Sequence, residues 1–380
     1  MRKFLAVLLS MMVFASLAML PASAEEAVTM DTIKLGFIHV SDPSDMGYTY
    51  NHDLGTQHMK EALGLRDDQI VNKYNVPEDN ACADAIQELL DDGCNIIFGT
   101  SFGFENYMLA AAAENPDVEF CHATGFQAAG SGLANMHNYF GKIFQARYLS
   151  GIVAGLKSLE IGNNQLGYVA AMPFAEVISG YTSFYLGAKS VNPDVTMKVG
   201  YTNSWNDPIM EAQVAKSLID AGCGIISQHC DSTAPATTAE ASGAFHVGYN
   251  SSMIAVAPNA SLTSAVWDWS KYLVFAVETY LAGEPIPTDW AGDLESGMCM
   301  LSDLNTAIVA EGTAEAVEAA KAAIISGDLK VFAGPLSGSG TNFDGSTATI
   351  ELAAGESFDE SGTASAPSWN YIIDGVEIVQ

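Results

Sequence analysis

The side chains best suited to chemistry stand in short runs that directly follow the predicted strands. After the first strand the chain reads SDPSDMGYTYNHD over residues 41–53, which combines two tyrosines, an asparagine and three carboxylates. Later runs add aromatic and hydrogen-bonding side chains of the same kinds, namely Ser101, Phe102, Trp205, Asp231 and Asn250. Aromatic faces stack on heterocycles, and Asn, Ser and Asp pair with the donors and acceptors at a ring's edge. These residue types favour binding of a flat, nitrogen-rich, uncharged molecule.

Other ligand classes and catalysis are less well supported by the same runs. They contain no Lys or Arg to pair with a phosphate or carboxylate, and the chain has neither a G-x-G-x-x-G loop nor a Walker A loop. Four candidate acid–base groups leave a secreted hydrolase or nucleosidase open as an alternative: His52, Asp53, His229 and Asp231. Without an H-E-x-x-H motif or a grouped nucleophile and base, we expect a binding protein, with no metal site and no cofactor.

The elements that must position these side chains alternate between short apolar runs and amphipathic helices. In the first array, near residues 33–125, the predicted strands are Ile33–Val40, Ile70–Tyr74, Asn95–Phe98 and Val118–Cys121. A second array covers about 143–258, and helices near Val266–Leu281 and Thr313–Ile325 return to the first. The helices predicted within the two arrays include Leu54–Leu63, Ala175–Val191, Pro208–Ala221 and Ala234–Ser242. Repeated βα units predict parallel, doubly wound sheets. Two such α/β lobes joined by crossovers place a cleft at the carboxyl ends of their strands.

The two arrays give a provisional division of the chain. Residues 1–24 form a basic start, an apolar stretch and an Ala-x-Ala ending, which predicts a secretory signal peptide and export, with a membrane anchor as the alternative. We assign 25–140 and about 263–336 to lobe 1, and 141–262 to lobe 2. Residues 337–380 are predicted to be an extension that packs on one lobe, with strands at Thr347–Leu352 and Tyr371–Val379.

Composition restricts the partners and the state of the cysteines. The formal net charge of −30 repels nucleic acid and anionic lipid, so no nucleic-acid partner is expected. Export permits disulfides, but several of the six cysteines fall in or beside predicted buried strands. Free cysteine behaves as a small core hydrophobe, so we expect mostly buried, unpaired thiols. We expect the chain to be a monomer.

Several stretches carry a resemblance to a known family. They include DMGYTYNHDLG at 45–55, NIIFGTSFGFENYML at 95–109, LGYVAAMPFAEVISG at 166–180, NSWNDP at 203–208 and LTSAVWDWSKY at 262–272. Together they resemble the basic membrane protein family of ABC-transporter solute-binding proteins, which is related to purine nucleoside-binding lipoproteins. The resemblance is strongest to the branch that binds purine bases.

This resemblance implies a type I periplasmic-binding fold that clamps a purine between one aromatic from each lobe. Tyr50, with Tyr48 beside it, falls at the stacking position of the first lobe, and Trp205 at that of the second. Asn51 follows the stacking residue as in the family. Asp231 and the 101–104 loop, with Ser101 and Phe102, fall where the family contacts the ring edge. The remaining positions carried over from the family are Asn250 and Trp267.

Two departures from the family pattern bear on the ligand. Nucleoside-binding members carry an Asp where this chain has Asn250, and a Lys within the segment that here reads TSAVW at 263–267. Those two residues help to hold the ribose, so a bare base such as adenine is favoured over a nucleoside. The implied partners are this purine and an ABC permease in the membrane, at the periplasmic or extracellular face. A receptor that reports the same ligand to a membrane sensor shares the fold and stays an alternative.

Overall fold

The computed structural model describes residues 27–341 and 345–379, within which strands and helices are numbered along the chain. The first sheet contains, in spatial order, β11 (Asp289–Gly292), β5 (Met136–Gly141), β4 (Glu119–Ala123), β3 (Ile96–Gly99), β1 (Leu35–Ile38) and β2 (Ile70–Lys73). All of its strand pairs are parallel. Both faces of this sheet are buried, because Leu35 and Phe37 enter one hydrophobic core while Ile38 enters another.

The second sheet is larger and parallel except at one edge. Its strands, in spatial order, are β12 (Cys299–Leu301), β10 (Ser261–Trp267), β9 (Phe245–Asn250), β8 (Ile225–Gln228), β6 (Gln165–Ala170), β7 (Thr196–Tyr201) and β16 (Val376–Val379). Only β12 runs antiparallel to its neighbour. A small antiparallel sheet holds β14 (Thr347–Leu352), β13 (Leu336–Thr341) and β15 (Ile372–Ile373).

Helices connect successive strands and cover the sheets. They are α1 (Tyr48–Leu63), α2 (Asn80–Asp91), α3 (Glu105–Glu114), α4 (Ala128–Ser131), α5 (Ile143–Ile161), α6 (Ala175–Val191), α7 (Pro208–Asp220), α8 (Ala234–Ser242), α9 (Ser270–Leu281) and α10 (Thr313–Ser326). Helix α7 begins where the sequence predicts, since Asp207 caps the Met210 N–H and Pro208 occupies the first turn. None of the helices in the described ranges is both long and apolar enough to span a bilayer.

Helices α5 and α6 pack unusually closely in the second lobe. A Cβ atom at Gly151 would lie 2.0 Å from the Phe184 carbonyl oxygen, and one at Gly187 would lie 1.9 Å from that of Tyr148. The two helices therefore meet backbone to backbone, which only glycine permits at these positions. This contact fixes the position of α6 against α5.

Three segments carry the chain between the lobes. The chain leaves the first sheet after β5, returns after β10 through α9 to β11, and crosses again to reach β12. Near these crossovers Trp267 stacks on Trp269, with ring centres 4.6 Å apart. The Lys142 ammonium also lies 3.4 Å from the Asp293 carboxylate. The crossovers form a hinge of the kind that permits two lobes to close on a ligand.

Five strands were not predicted, namely β5, β10, β11, β12 and β13. The first two carry buried polar residues that interrupt the apolar pattern. In β5, the His137 imidazole lies 2.7 Å from the Glu119 carboxylate, and the Asn138 amide donates to Glu105. In β10, Ser261, Thr263 and Ser264 are all buried. Because β10 pairs with β9, the second lobe extends to Trp267, and the predicted return at about 263 and helix start at Val266 were wrong. The assignment of β12 and α10 to lobe 1 was wrong as well, because β12 pairs with β10 and α10 packs on α5.

The C-terminal extension contacts both lobes rather than one. Strand β16 adds to the edge of the second sheet beside β7, whereas the Ser365 N–H donates to Asp289 of the first sheet at 2.7 Å. Strand β14 forms where predicted, but its partner is β13, and the predicted strand 371–379 is divided into β15 and β16. We call residues 357–371 of this extension the strap.

The cysteines agree with the expectation from composition. All six are buried and none forms a disulfide. Burial raises the pKa of each thiol, to about 12 for Cys82 and about 11 for Cys94 and Cys223. These thiols are therefore packing residues, because the reactive form is the thiolate. The predicted signal peptide at 1–24 lies outside the described residues.

Candidate functional site

A cleft lies between the lobes at the carboxyl ends of both sets of strands. The space between its walls amounts to about 400 Å³, including space open to solvent. The first lobe contributes Val40, Tyr48, Thr100, Ser101, Phe102 and Thr124. The second lobe contributes Glu176, Trp205, His229, Asp231 and Tyr249. We call this space the ring cleft.

Helix α1 places Tyr48 in the ring cleft. The Asp45 carboxylate accepts backbone N–H bonds from Gly47, Thr49 and Tyr50 at 2.9–3.0 Å, so the helix begins at Tyr48. The Tyr48 ring packs edge-on against His52, and its buried hydroxyl has no hydrogen-bond partner among the described residues. A buried hydroxyl without a partner is costly, so it is available to a bound molecule.

The second lobe supplies the opposing aromatic, Trp205, from the loop after β7. The Trp205 carbonyl accepts the Asp231 N–H at 2.9 Å, which ties this loop to the one after β8. The indole lies 6.1 Å from the Phe174 ring, measured between ring centres. Tyr48 and Trp205 therefore give the cleft one aromatic wall from each lobe.

Asp231 is oriented by a chain of two buried side chains. The Trp267 indole N–H donates to the Asn250 amide oxygen at 3.2 Å, and the Asn250 amide nitrogen donates to the Asp231 carboxylate at 2.9 Å. Burial, together with the carboxylates of Asp45 and Glu211, raises the pKa of Asp231 well above its usual value. A raised pKa favours the neutral acid, which can both donate and accept at a ligand's edge.

Glu176, in the first turn of α6, is the second carboxylate of the ring cleft. Burial raises its pKa to about 7, against the opposing effect of Arg147. Its carboxylate lies 3.3 Å from the His229 imidazole, whose pKa burial lowers well below the usual value, so that His229 is neutral. Two carboxyl groups of raised pKa therefore stand at the edge of the cleft.

Arg147 on α5 lies beneath the floor of the ring cleft. Its guanidinium carbon is 3.8 Å from the centre of the Tyr249 ring, and one N–H donates to the Gln228 carbonyl at 2.8 Å. The side chain is fully buried. Since Arg147 sits on a helix and not after a strand, the strand-end pattern gave no signal for it. Its positive charge acts on Glu176 and opposes the rise of that carboxyl's pKa.

A backbone feature marks the first-lobe wall. Thr124 lines the cleft with a φ of 68°, a left-handed conformation that β-branched residues rarely adopt. Such strain persists where the surrounding structure fixes it, and it is concentrated at functional sites. The Thr124 N–H donates to the Tyr139 carbonyl, which holds the loop on the neighbouring strand.

The structure brings five of the nine predicted site residues to the ring cleft: Tyr48, Ser101, Phe102, Trp205 and Asp231. Tyr50 and Asn51 do not line it, and Tyr48 occupies the position expected for Tyr50. The reason is that α1 begins at Tyr48 instead of Leu54. Successive helical residues are rotated by about 100°, so Tyr48 and Tyr50 face different directions. Asn250 and Trp267 stand one layer behind Asp231.

Six lining residues were not selected from the sequence as ligand-binding residues: Val40, Thr100, Thr124, Glu176, His229 and Tyr249. Five of them lie at or just after the ends of predicted strands, so position alone could have found them. Glu176 lies within the first turn of α6, where a carboxylate is also explained by the helix dipole.

The candidate catalytic groups are not assembled. His52 stacks on Trp269 at 3.9 Å and Asp53 accepts the Tyr74 hydroxyl, so neither joins His229 and Asp231 in the cleft. Residues 99–103 read GTSFG, so the expectation that the chain lacks the G-x-S-x-G pattern of hydrolase nucleophiles was wrong. The Ser101 hydroxyl, however, donates to the Glu78 carboxylate, and His122 contacts only its carbonyl.

The chain is similar in sequence to a known protein family and to several known proteins. A family model described as ABC transporter substrate-binding protein, PnrA-like (Bmp), matches residues 32–331. A purine-binding protein of Brucella abortus (strain 2308) is 36% identical over 309 residues, covering 80% of this chain and 85% of the relative. A putative ABC transporter glucose-binding protein of Haloferax volcanii is 32% identical over 305 residues, covering 80% and 75%.

Solved structures support the fold. A solute-binding protein of an ABC transporter system from Aeropyrum pernix K1 superposes with a TM-score of 0.65 at 18% identity, covering 79% of this chain and 93% of that one. A similar protein from Conexibacter woesei gives a TM-score of 0.64 at 20% identity, covering 78% and 98%. The predicted type I periplasmic-binding fold is confirmed.

Proposed function

This chain belongs to the Bmp family of ABC-transporter substrate-binding proteins, and from that premise we propose that its ligand is a purine base. The family implies a small-molecule ligand, a permease partner and export. The observation that carries the proposal is the ring cleft itself, with Tyr48 and Trp205 on opposite lobes and two carboxyl groups at the edge. This arrangement suits a planar ring with several nitrogen donors and acceptors.

The edge groups suit an uncharged base. The neutral Asp231 carboxyl can donate to a ring nitrogen while accepting an N–H, and the Glu176 carboxyl adds a second acceptor. The Brucella relative is named a purine-binding protein, which agrees with this chemistry. The net charge of −30 also disfavours an anionic ligand at long range.

The hydrogen bonds of Asn250 favour a bare base over a nucleoside. Both of its amide atoms are engaged, the nitrogen by Asp231 and the oxygen by Trp267, and the side chain is fully buried. It is therefore not free to bind a ribose hydroxyl without breaking the chain that orients Asp231. We propose adenine or a closely similar base, bound by a monomer at the outer face of the membrane or in the periplasm.

A ligand screen tests this proposal. The purified mature chain is heated with adenine, hypoxanthine, guanine, adenosine or glucose at equal concentrations, and calorimetry then measures affinity for any ligand that raises Tm. Stabilisation grows as RT ln(1 + [L]/Kd), so the tightest ligand gives the largest shift. We expect the bases to raise Tm most, adenosine less and glucose not at all. Stabilisation by glucose alone would reject a purine ligand and favour the sugar named for the Haloferax relative.

A further inference from the structure

A second compartment adjoins the ring cleft at its mouth. It encloses about 510 Å³, including space open to solvent, and shares with the ring cleft the residues Phe102, Thr124, Glu176 and Trp205. Its remaining lining comes from Phe126, Phe174, Ala175, Ala366 and Pro367. We call this compartment the annex. The four shared residues form the boundary across which a bound molecule would extend.

The annex is apolar and aromatic. Phe126 and Phe102 of the first lobe lie 6.4 Å apart between ring centres, Phe102 lies 5.9 Å from Phe174, and Phe174 lies 6.1 Å from Trp205. Glu176 is the one charged residue in the lining, and it stands on the boundary with the ring cleft. A sugar needs several hydrogen-bonding partners, which this lining lacks, whereas an apolar group would be buried among the rings.

The strap forms the outer wall of the annex. Ala366 and Pro367 are held in place on one side by the Ser365 N–H bond to Asp289. On the other side Trp369 is fully buried, its ring stacks on Phe332 at 4.5 Å, and its backbone N–H donates to the Glu360 carboxylate at 2.7 Å. The strap lies beyond the residues 32–331 that match the family model. This wall therefore lies outside the region that the family model matches.

We propose that the annex binds an apolar substituent carried on the exocyclic nitrogen of the ring held in the ring cleft. The inference rests on the purine proposal above. An amino group bearing one substituent keeps one N–H, which can donate to the boundary carboxylate of Glu176. The substituent then points past Glu176 and Trp205 into the annex, against Phe102, Phe126 and the strap. The ligand class is thus an N6-substituted adenine with an aryl or branched alkyl group.

Calorimetry with three probes tests the annex directly in the unaltered chain. Adenine, N6-benzyladenine and 9-benzyladenine are titrated under the same conditions; the two benzyl compounds have equal apolar content and differ only in the position of the group. We expect N6-benzyladenine to bind at least tenfold tighter than adenine, because burying roughly two methylene equivalents already gives a factor of ten. We expect no such gain for 9-benzyladenine.

A variant that fills the annex provides the second test. Ala366→Phe places a ring in the compartment, and the matched control Ala354→Phe adds the same ring at an exposed turn of the extension. In Ala366→Phe we expect the N6-benzyl gain to disappear while adenine binds as before, and in Ala354→Phe we expect both affinities to be unchanged. Unfolding curves establish that each variant is folded, and the three-probe comparison stands without them.

The outcomes separate this inference from the proposed function. If adenine binds and N6-benzyladenine binds no tighter, or if 9-benzyladenine gains equally, the annex assignment is overturned and the purine proposal survives. If none of the three probes binds, adenine is not the ligand and the annex assignment fails with it.

Discussion

At the scale of single residues, Trp205 is the side chain on which ligand affinity should depend most. It is the aromatic of the second lobe in the ring cleft, and its backbone also ties the two loops together. We expect Trp205→Ala to weaken adenine binding tenfold or more, since stacking of a base on an aromatic contributes about 1–3 kcal/mol. Tyr280→Ala, on α9 outside the cleft, is the control. Calorimetric affinity equal to the unaltered chain would remove Trp205 from the site.

The carboxyl of Glu176 predicts a specific pH dependence of stability. Its folded-state pKa of about 7 lies above the ordinary 4.5, so the folded chain holds this proton more tightly than the unfolded chain. The resulting stabilisation is complete below pH 4.5 and is lost as pH rises through 7. Relative to Glu176→Gln, the unfolding free energy of the unaltered chain should fall by up to about 3 kcal/mol across that window.

Denaturant unfolding of both proteins from pH 4.5 to 8 measures this difference. Both proteins contain every other titrating group, so the contributions of those groups cancel in the difference. This includes Glu360, whose pKa burial also raises to about 7. A constant difference between the two proteins over the whole range would show that Glu176 is ionised throughout.

The sequence predicts only those site residues that directly follow a predicted strand. Ser101, Trp205 and Asp231 follow strands and line the cleft. The relay of Asn250 and Trp267 behind Asp231 depends on tertiary contacts between β9 and β10, which have no periodic signature. Arg147 reaches the cleft floor from a helix, and the choice of Tyr48 over Tyr50 depends on where α1 begins.

At the scale of elements, the start of α1 governs the position of Tyr48. Asp45→Ala removes the acceptor of three backbone N–H groups, so we expect a loss of roughly 1–2 kcal/mol in unfolding free energy. We also expect weaker adenine binding, because the first turn carries Tyr48. Asp79→Ala removes the cap of α2 and should cost similar stability without affecting affinity. Equal affinity losses in both variants would contradict this role for α1.

The alternating βα order was predictable because buried parallel strands are short apolar runs and amphipathic helices separate them. Helices α6 and α8 have the predicted bounds. The missed strands β5 and β10 contain buried His, Asn, Ser and Thr residues, and the side-chain partners of His137 and Thr263 lie outside these strands. A local sequence pattern cannot predict those partners. Because β10 was not predicted, the boundary between the lobes was placed too early in the chain.

At the scale of the whole molecule, the lobes touch across the cleft. The Ser251 hydroxyl of the second lobe donates to the Met46 carbonyl of the first at 2.8 Å. Beside it, a Cβ at Gly47 would lie 2.0 Å from the Asp231 carbonyl oxygen. Closure of the lobes on a ligand brings the backbone at Gly47 against the backbone at Asp231. A methyl group added at Gly47 should therefore keep the two lobes apart.

We therefore expect Gly47→Ala to block closure and to weaken adenine binding tenfold or more. Small-angle scattering measures the radius of gyration with and without saturating adenine, which should decrease in the unaltered chain and stay constant in the variant. Gly130→Ala is the control, since a Cβ there has no neighbour within 4 Å. A Gly47→Ala protein that contracts normally with adenine would show that this contact does not limit closure.

A crystal structure of the chain grown with adenine is the most direct measurement. We expect the ring to lie between Tyr48 and Trp205, with its edge hydrogen-bonded to the carboxyl groups of Asp231 and Glu176. A bound sugar or charged molecule in the ring cleft, or an adenine bound with Trp205 and the first turn of α1 turned away from it, would contradict a purine clamp.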